Sequence, residues 1–492
     1  METRKTFDFA RELSEQVRTR FFIDGRWVDP IGLQRNELIS CVTEEVMLAT
    51  PEASERDVDA AVSAARRAFD EGPWASLQPA ERGAYLKRIA AEMRKRQSLF
   101  SRLWTAQIGA PISFATSLTP MAIELFDYYG DLSLNFPFEE TRRSARGAVA
   151  RVLNEPVGVI GLITPWNAPL VLLAYKVAAA LAAGCTVVAK PSPETPLDAQ
   201  VLAECIEAAG VPAGVVNLVP GGREIGAYLI SRPEIDKVSF TGSTAAGKSI
   251  AAACTHRLAR VDLELGGKSA AIVLDDADIP TVLDTLMPFS MPFSGQICFS
   301  LTRVLVSKRK RDAFLDAYVG AVKALKVGDP ADPQTQIGPL SMRRQMERVL
   351  GCIEKGRAEG ARILIGGGRV AGCERGFFVQ PTVFSEVCND MTIAQEEIFG
   401  PVVSVIAYED EADAIRIAND SPYGLSGAVF SADAEKAFDV ARRVRTGNVS
   451  VNGLSVDVGI PFGGYKQSGI GRQGGVEGLK GYLECKSVYL PS

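Results

Sequence analysis

The chain has 492 residues, 47% apolar and 23% charged, which is enough for two or three domains and a sizeable core. A formal charge of −5 without a dense Lys/Arg cluster argues against nucleic acid or an anionic membrane surface as a partner. Nine cysteines without a C-x-x-C pair suit reduced thiols rather than a disulfide framework or a zinc site, and no apolar run reaches the ~18–20 residues that span a bilayer.

The first stretch, "METRKTFDFARELSEQVRTR", lacks the apolar core of a secretory signal. Its acids Glu2, Asp8, Glu12 and Glu15 argue against a transit peptide, so the expected location is cytoplasmic. "FFIDGRWVD" (21–29) reads as a hairpin turning at Asp24-Gly25. Residues 56–100 read as helices, with Leu86, Ile89, Ala90 and Met93 on one apolar face. Residues 141–153 read as a single extended piece.

From about residue 157 short β-branched runs alternate with helical stretches: 157–164, 186–190, "VVNLVP" and 237–242 are the strands. Helices are expected over 170–183 and 197–209, then before Lys237, and from near Thr244. This is the rhythm of βαβ units and a doubly wound parallel sheet, in which ligands sit at the carboxyl ends of the strands. A second α/β region follows residue 265, with strands near 270–275, 302–307 and 402–407, and the chain ends in a strand within "GYLECKSVYLPS".

Glycine motifs give two false leads. "GSTAAGKS" (242–249) fits G-x-x-x-x-G-K-[ST], and "AAIVLDD" (270–276) could serve as its magnesium strand, so a nucleotide triphosphatase is a rival reading. The motif follows the fourth strand of the run rather than the first, and a helix N-terminus cradles a dinucleotide pyrophosphate equally well. "GIGRQG" (469–474) fits G-x-G-x-x-G, but no apolar strand precedes it, and it reads as a glycine-rich turn.

Cys298, in "FSGQICFS", could be core filling, since free cysteine is most often buried. As a nucleophile it needs a base and a place for negative charge. The only histidine, His256, falls at a predicted helix end, so a Cys-His protease is a weak reading. Glu264, between Leu263 and Leu265, is the better base, because apolar surroundings raise a carboxyl pKa toward neutrality. Asn167, in "TPWNAPL", would offer its amide at a strand's carboxyl end and, with the Cys298 N–H, form an oxyanion hole. Each taken alone has a plain structural reading: a buried thiol, the outward residue of an alternating strand, a turn asparagine.

Together with "KPSPETP" (190–196), "FTGSTAAG" (240–247), "LELGGKS" (263–269), "GQIC" (295–298), "EEIFGPV" (396–402) and "PFGGYKQSGIGR" (461–472), the "TPWNAPL" stretch makes the chain resemble the NAD(P)-dependent aldehyde dehydrogenase superfamily over nearly its whole length. The resemblance implies an α/β fold: a Rossmann-like cofactor domain (1–135 and 156–264), an α/β catalytic domain (265–460) and a small β oligomerisation flap (136–155 and 473–492). It implies a homodimer or homotetramer, since an unpaired edge strand is a liability. It implies that Cys298 attacks an aldehyde, that Asn167 and the Cys298 amide hold the oxyanion, and that Glu264 activates water against a thioester to release the acid.

For the cofactor, it implies Lys190 and Glu397 at the two riboses, Ser243 at the pyrophosphate and Phe399 beside the nicotinamide. Ile163, Thr164, Pro165, Trp166, Ser192, Gly242 and Leu265 complete that groove. Two positions depart from the family pattern: Phe293 stands where asparagine is common, and Pro193 where many NAD-preferring members carry glutamate. NAD is the expected cofactor, with NADP open because no carboxylate at 193 would repel a 2′-phosphate. Phe126, Ala168, Tyr175, Phe293, Phe299 and Val456 are the expected entrance, which favours a medium or larger apolar or aromatic aldehyde. A coenzyme-A-acylating relative would be expected to lack Glu264, and a retired binding or structural relative to lack Cys298, Asn167 or Glu264; all three residues are present.

Overall fold

The computed structural model describes residues 7–491. Two sheets organise it. The first has eight strands, with a parallel centre running in the order Val216–Leu218, Thr186–Lys190, Val159–Ile163, Lys237–Thr241, Arg260–Glu264. Crossover helices Pro169–Ala183, Leu197–Ala208, Arg223–Ser231 and Thr244–Thr255 connect them, as the alternating pattern predicts. The central strands Val159–Ile163, Thr186–Lys190 and Lys237–Thr241 are buried at every position, because helices cover both faces of a parallel sheet.

The hairpin Phe21–Ile23/Arg26–Val28 adds the outer edge through Val216–Leu218. Asp24 (φ 54°) and Gly25 (φ 70°) both turn left-handed there, as a two-residue hairpin requires. Helices Glu55–Asp70, Pro79–Lys95 and Gln97–Ile108 pack over the sheet, and Leu86, Ile89, Ala90 and Met93 are fully buried on the predicted face.

The chain leaves this sheet after Glu264 and enters the second, seven-stranded one at Ala270. Ala270–Val273, Arg303–Ser307, Val402–Tyr408 and Gly427–Phe430 form its parallel centre. The "GIGRQG" segment is more than a turn: Gly469–Ile470 returns to pair antiparallel with Leu263–Glu264 at the edge of the first sheet.

The single extended piece expected over 141–153 is two strands. Glu139–Arg143 and Val149–Pro156 form a hairpin broken at Ser144–Gly147, where Gly147 adopts φ 87°. Leu483–Tyr489 pairs antiparallel with Val149–Pro156, giving a three-stranded sheet that leaves Val488 and Tyr489 exposed. Among the described residues no helix is long and apolar enough to cross a membrane.

Candidate active site

The carboxyl ends of the first sheet's strands face the second sheet's loops. Val159–Ile163 runs out into Thr164–Asn167, and Asn167 is 5% exposed. Its Nδ2 donates to the Gln296 carbonyl at 2.9 Å, and the Trp104 indole N–H donates to its own carbonyl at 2.8 Å. One amide proton is therefore spent holding the Cys298 loop.

The Cys298 loop has an unusual backbone. Phe293 (φ 45°), Ser294 (φ 55°) and Gly295 (φ 75°) make three consecutive left-handed residues. Only glycine fits at 295, because a Cβ there would collide with the Gly400 carbonyl. For the other two residues this conformation costs about 1–2 kcal/mol each.

Packing and hydrogen bonds offset that strain. The Phe293 ring stacks on Phe114 (centroids 6.1 Å apart) and meets Trp104 edge-on (6.2 Å). Ser294 Oγ donates to the Gly338 carbonyl at 2.8 Å, and the buried Gln296 Oε1 accepts from the N–H and hydroxyl of Ser341.

Burial pushes the Cys298 thiol up to about 12, and the carboxylates of Glu397 and Glu264 push the same way. The thiol is therefore held in its protonated form. Glu264 ends the Arg260–Glu264 strand, 4% exposed, with Oε2 buried and unpaired. Burial raises its pKa well above the ordinary carboxylate value, and Lys176 pulls it back down. Gly463 closes over it, where any side chain would lie 2.6 Å from Oε1.

Cys298, Gly267, Glu397 and Phe399 line one small cavity. The Gly267 N–H donates to Glu397 Oε1 at 3.1 Å, and burial raises that carboxyl to about 7. Phe399 is left-handed (φ 61°) and meets Trp166 edge-on at 5.5 Å. Two residues the sequence reading missed fix this turn from helix Arg343–Ala358: Gln345 donates to the Ile398 and Phe399 carbonyls, and Arg348 to that of Glu397. Their one-turn spacing on a charged helix was the available signal, but it is shared by most surface helices.

The remaining groove residues gather at the strand ends. Thr164 N–H donates to the Lys190 carbonyl, Ile163 and Leu265 are buried beside the sheet, and Pro165 precedes Trp166 in the turn. Lys190 Nζ turns onto the Gly221 carbonyl, and burial lowers its pKa to about 8. Gly242 leads into helix Thr244–Thr255, capped by the exposed Ser243, and the Thr244 side chain lies beside the Tyr423 hydroxyl. Lys248, the lysine of the P-loop-like motif, bonds Gln467 on the helix exterior.

Ser192 Oγ donates to Glu194, which also pairs with Arg344. Pro193 itself carries no charge, but the carboxylate of Glu194 follows it in the same turn.

Of the expected entrance residues, Phe299 and Val456 are half-buried, Ala168 and Tyr175 are buried, and Phe299 meets Phe462 edge-on at 6.3 Å. Phe126 and Phe293 are not at an entrance: at 0% and 1% exposure both lie in the interior. Phe126 faces the helical core and Phe293 the Trp104–Phe114 cluster, because each ring buries more area there than on a channel wall. Among the described residues no cluster of three or more His, Cys, Asp or Glu could hold a metal.

Known proteins share this arrangement. The model of the aldehyde dehydrogenase family matches residues 27–488. The chain therefore belongs to the aldehyde dehydrogenase family and is an oxidoreductase that oxidises aldehydes with NAD(P).

It is 47% identical to the geranial dehydrogenase of Castellaniella defragrans over 95% of this chain and 98% of that one. It is 45% identical to a 3-succinoylsemialdehyde-pyridine dehydrogenase of a Pseudomonas species, at 95% and 98% coverage. An aldehyde dehydrogenase of Mycobacterium tuberculosis complexed with NAD+ superposes with TM-score 0.95 at 44% identity, covering 96% of this chain and 98% of that one. A cysteine-to-alanine variant of aldehyde dehydrogenase C from Pseudomonas syringae, complexed with NAD+ and octanal, gives 0.93 at 40% identity and 97% coverage of each.

Proposed function

We propose that this enzyme oxidises medium or larger apolar aldehydes to carboxylic acids through a thioester on Cys298. The observation that carries the reading is the meeting of three groups: a protonated thiol on a strained loop, an amide donor bonded to that loop, and a buried carboxyl with a free oxygen.

The residues present fit NAD. The N-terminus of helix Thr244–Thr255, capped by the exposed Ser243, presents backbone N–H groups suited to a pyrophosphate. Glu397 and Lys190 would hold the riboses, and Phe399 and Trp166 would flank the nicotinamide. When bound, the cofactor accepts the hydride that leaves the substrate carbon.

The protein's own groups do the rest. Cys298 Sγ bonds the carbonyl carbon as the C=O π pair moves onto oxygen, and the thiol proton passes to solvent. Asn167 Nδ2 and the Cys298 N–H stabilise the oxyanion, a donor pair in which each member is worth on the order of 100-fold in rate. Once the thioester stands on Cys298, Glu264 takes a proton from water as it attacks, and the acid departs with the thiol restored.

Ile297 and Phe299, the chain neighbours of Cys298, belong to an apolar cluster with Trp104, Phe114 and Leu172, which supports the substrate class. The named substrate of the Castellaniella relative and the octanal of the Pseudomonas syringae complex support it too. Glu194, held below the usual carboxylate range by Ser192 and Arg344 despite burial that pushes it up, supports NAD over NADP.

The open strand edge at Leu483–Tyr489, with Val488 and Tyr489 exposed, supports a homodimer or homotetramer built through 136–155 and 473–492. The division at 264/265 follows the passage between the sheets, and nine free cysteines support a cytoplasmic location.

The test is NADH formation from octanal and NAD. Cys298→Ala should abolish it; a short charged semialdehyde that beats octanal in kcat/KM would refute the apolar pocket.

A further inference from the structure

Beneath Glu264 runs a buried polar strip that the catalytic steps do not use. Strands Lys237–Thr241 and Arg260–Glu264 pair in parallel with Ser239 opposite Asp262 and Thr241 opposite Glu264. Residues two apart on a strand share a face, so Asp262 lies directly below Glu264, and Lys237 below Ser239. Lys237 Nζ and Asp262 Oδ2 form an ion pair at 2.6 Å with side chains 3% and 10% exposed. Lys237 also donates to the Gly481 carbonyl and lies 4.9 Å from the Tyr482 ring centroid. The Tyr482 hydroxyl meets Ser239 Oγ at 3.2 Å, and the fully buried Lys176 Nζ donates to that same oxygen at 3.0 Å.

A buried ion pair is a poor source of stability, since an apolar pair of similar volume does as well or better. A place two residues from a buried base therefore calls for a different explanation. We propose that the Asp262–Lys237 pair is a positioning element that sets the charge state of Glu264, with Asp262 disfavouring the carboxylate and Lys237 limiting that effect.

The proposal rests on Glu264 being the base. The charged and titratable groups around Glu264 are Lys176 and Tyr175 from helix Pro169–Ala183, Asp262 from its own strand, Arg472 from the closing loop, and Cys298 opposite. Lys176 and Arg472 favour its carboxylate and Asp262 opposes it. Lys237 in turn disfavours the charged form of Lys176, which Glu264 and Asp262 favour.

The experiment is the pH profile of kcat with octanal and NAD for the native enzyme, Asp262→Asn, Lys237→Met, the double variant and Glu264→Gln. Each is accompanied by the pre-steady-state NADH burst and by a thermal melt. Turnover rises with pH as Glu264 ionises. Asp262→Asn should move that rise on the order of one pH unit lower, so that below it the variant turns over up to about tenfold faster than the native enzyme. Lys237→Met should move it higher, and the double variant should return it near its native position.

A pair that only held the fold together would slow both variants without opposite displacements, and that result, or no displacement, overturns the proposal. If Lys237→Met fails to fold, Asp262→Asn alone still decides, since a merely structural lesion does not accelerate turnover. Failure of the base assignment reads differently: Glu264→Gln would then keep the full steady-state rate instead of only the burst.

Discussion

The two sheets supply the site in different ways. The first delivers Asn167, Lys190, Ser243 and Glu264 at or just beyond the carboxyl ends of parallel strands, where topology alone brings them together. The second delivers Cys298, Glu397 and Phe399 from irregular segments with left-handed residues at 293–295 and 399. Those segments hold their shape through particular bonds: Gln296 to Ser341, Gln345 to Phe399, and Arg348 to the Glu397 carbonyl. Strand-end residues are thus placed by the fold, and the loop residues by a few contacts that offset strain.

This contrast makes the two sides fail differently. The largest expected effect is on the strand-end side: Asn167→Ala should lower kcat on the order of 100-fold or more, while stability falls only by the roughly 1–3 kcal/mol of leaving the Gln296 carbonyl unpaired. A large loss of stability in that variant would show that Asn167 holds the fold as much as the oxyanion.

On the loop side, Phe293→Asn pits two effects against each other. Asparagine tolerates the left-handed backbone, regaining about 1 kcal/mol, but an aromatic ring lost from a packed cluster costs about 3–5 kcal/mol. Packing should win, with a net destabilisation of about 3 kcal/mol by denaturant titration. A stabilised variant would mean that backbone strain dominates there.

The smallest effect belongs to Gln345→Ala, which frees the Glu397–Phe399 turn. The KM for NAD should rise roughly fivefold, equivalent to about 1 kcal/mol, with kcat for octanal nearly unchanged. A fall in kcat at constant KM would place Gln345 with the chemistry instead of with cofactor binding.

Much of this was legible from residues alone. Alternating β-branched runs and helical stretches marked the first sheet because a strand buried on both faces must be apolar throughout. The seven short stretches marked the family because each carries groups whose chemistry requires those residue types. Less legible was the hairpin at 139–156, read as one strand, since a turn through Ser144 and Gly147 leaves only a weak local signal. Lys176, in the helix expected over 170–183, was not singled out, because its bond to Ser239 joins residues far apart in the chain.

The sequence by itself determined the fold class and the family, and it singled out Cys298, Glu264 and Asn167 as the candidate chemistry. Those depend on local periodicity and on residue type. Only the tertiary structure decided that Phe126 and Phe293 turn inward, that Glu194 takes up the Ser192 hydroxyl, and that Asp262 and Lys237 meet beneath Glu264. Each of these depends on which surfaces compete for burial and which charges share a low-dielectric interior, and both are set by contacts between residues far apart in the chain.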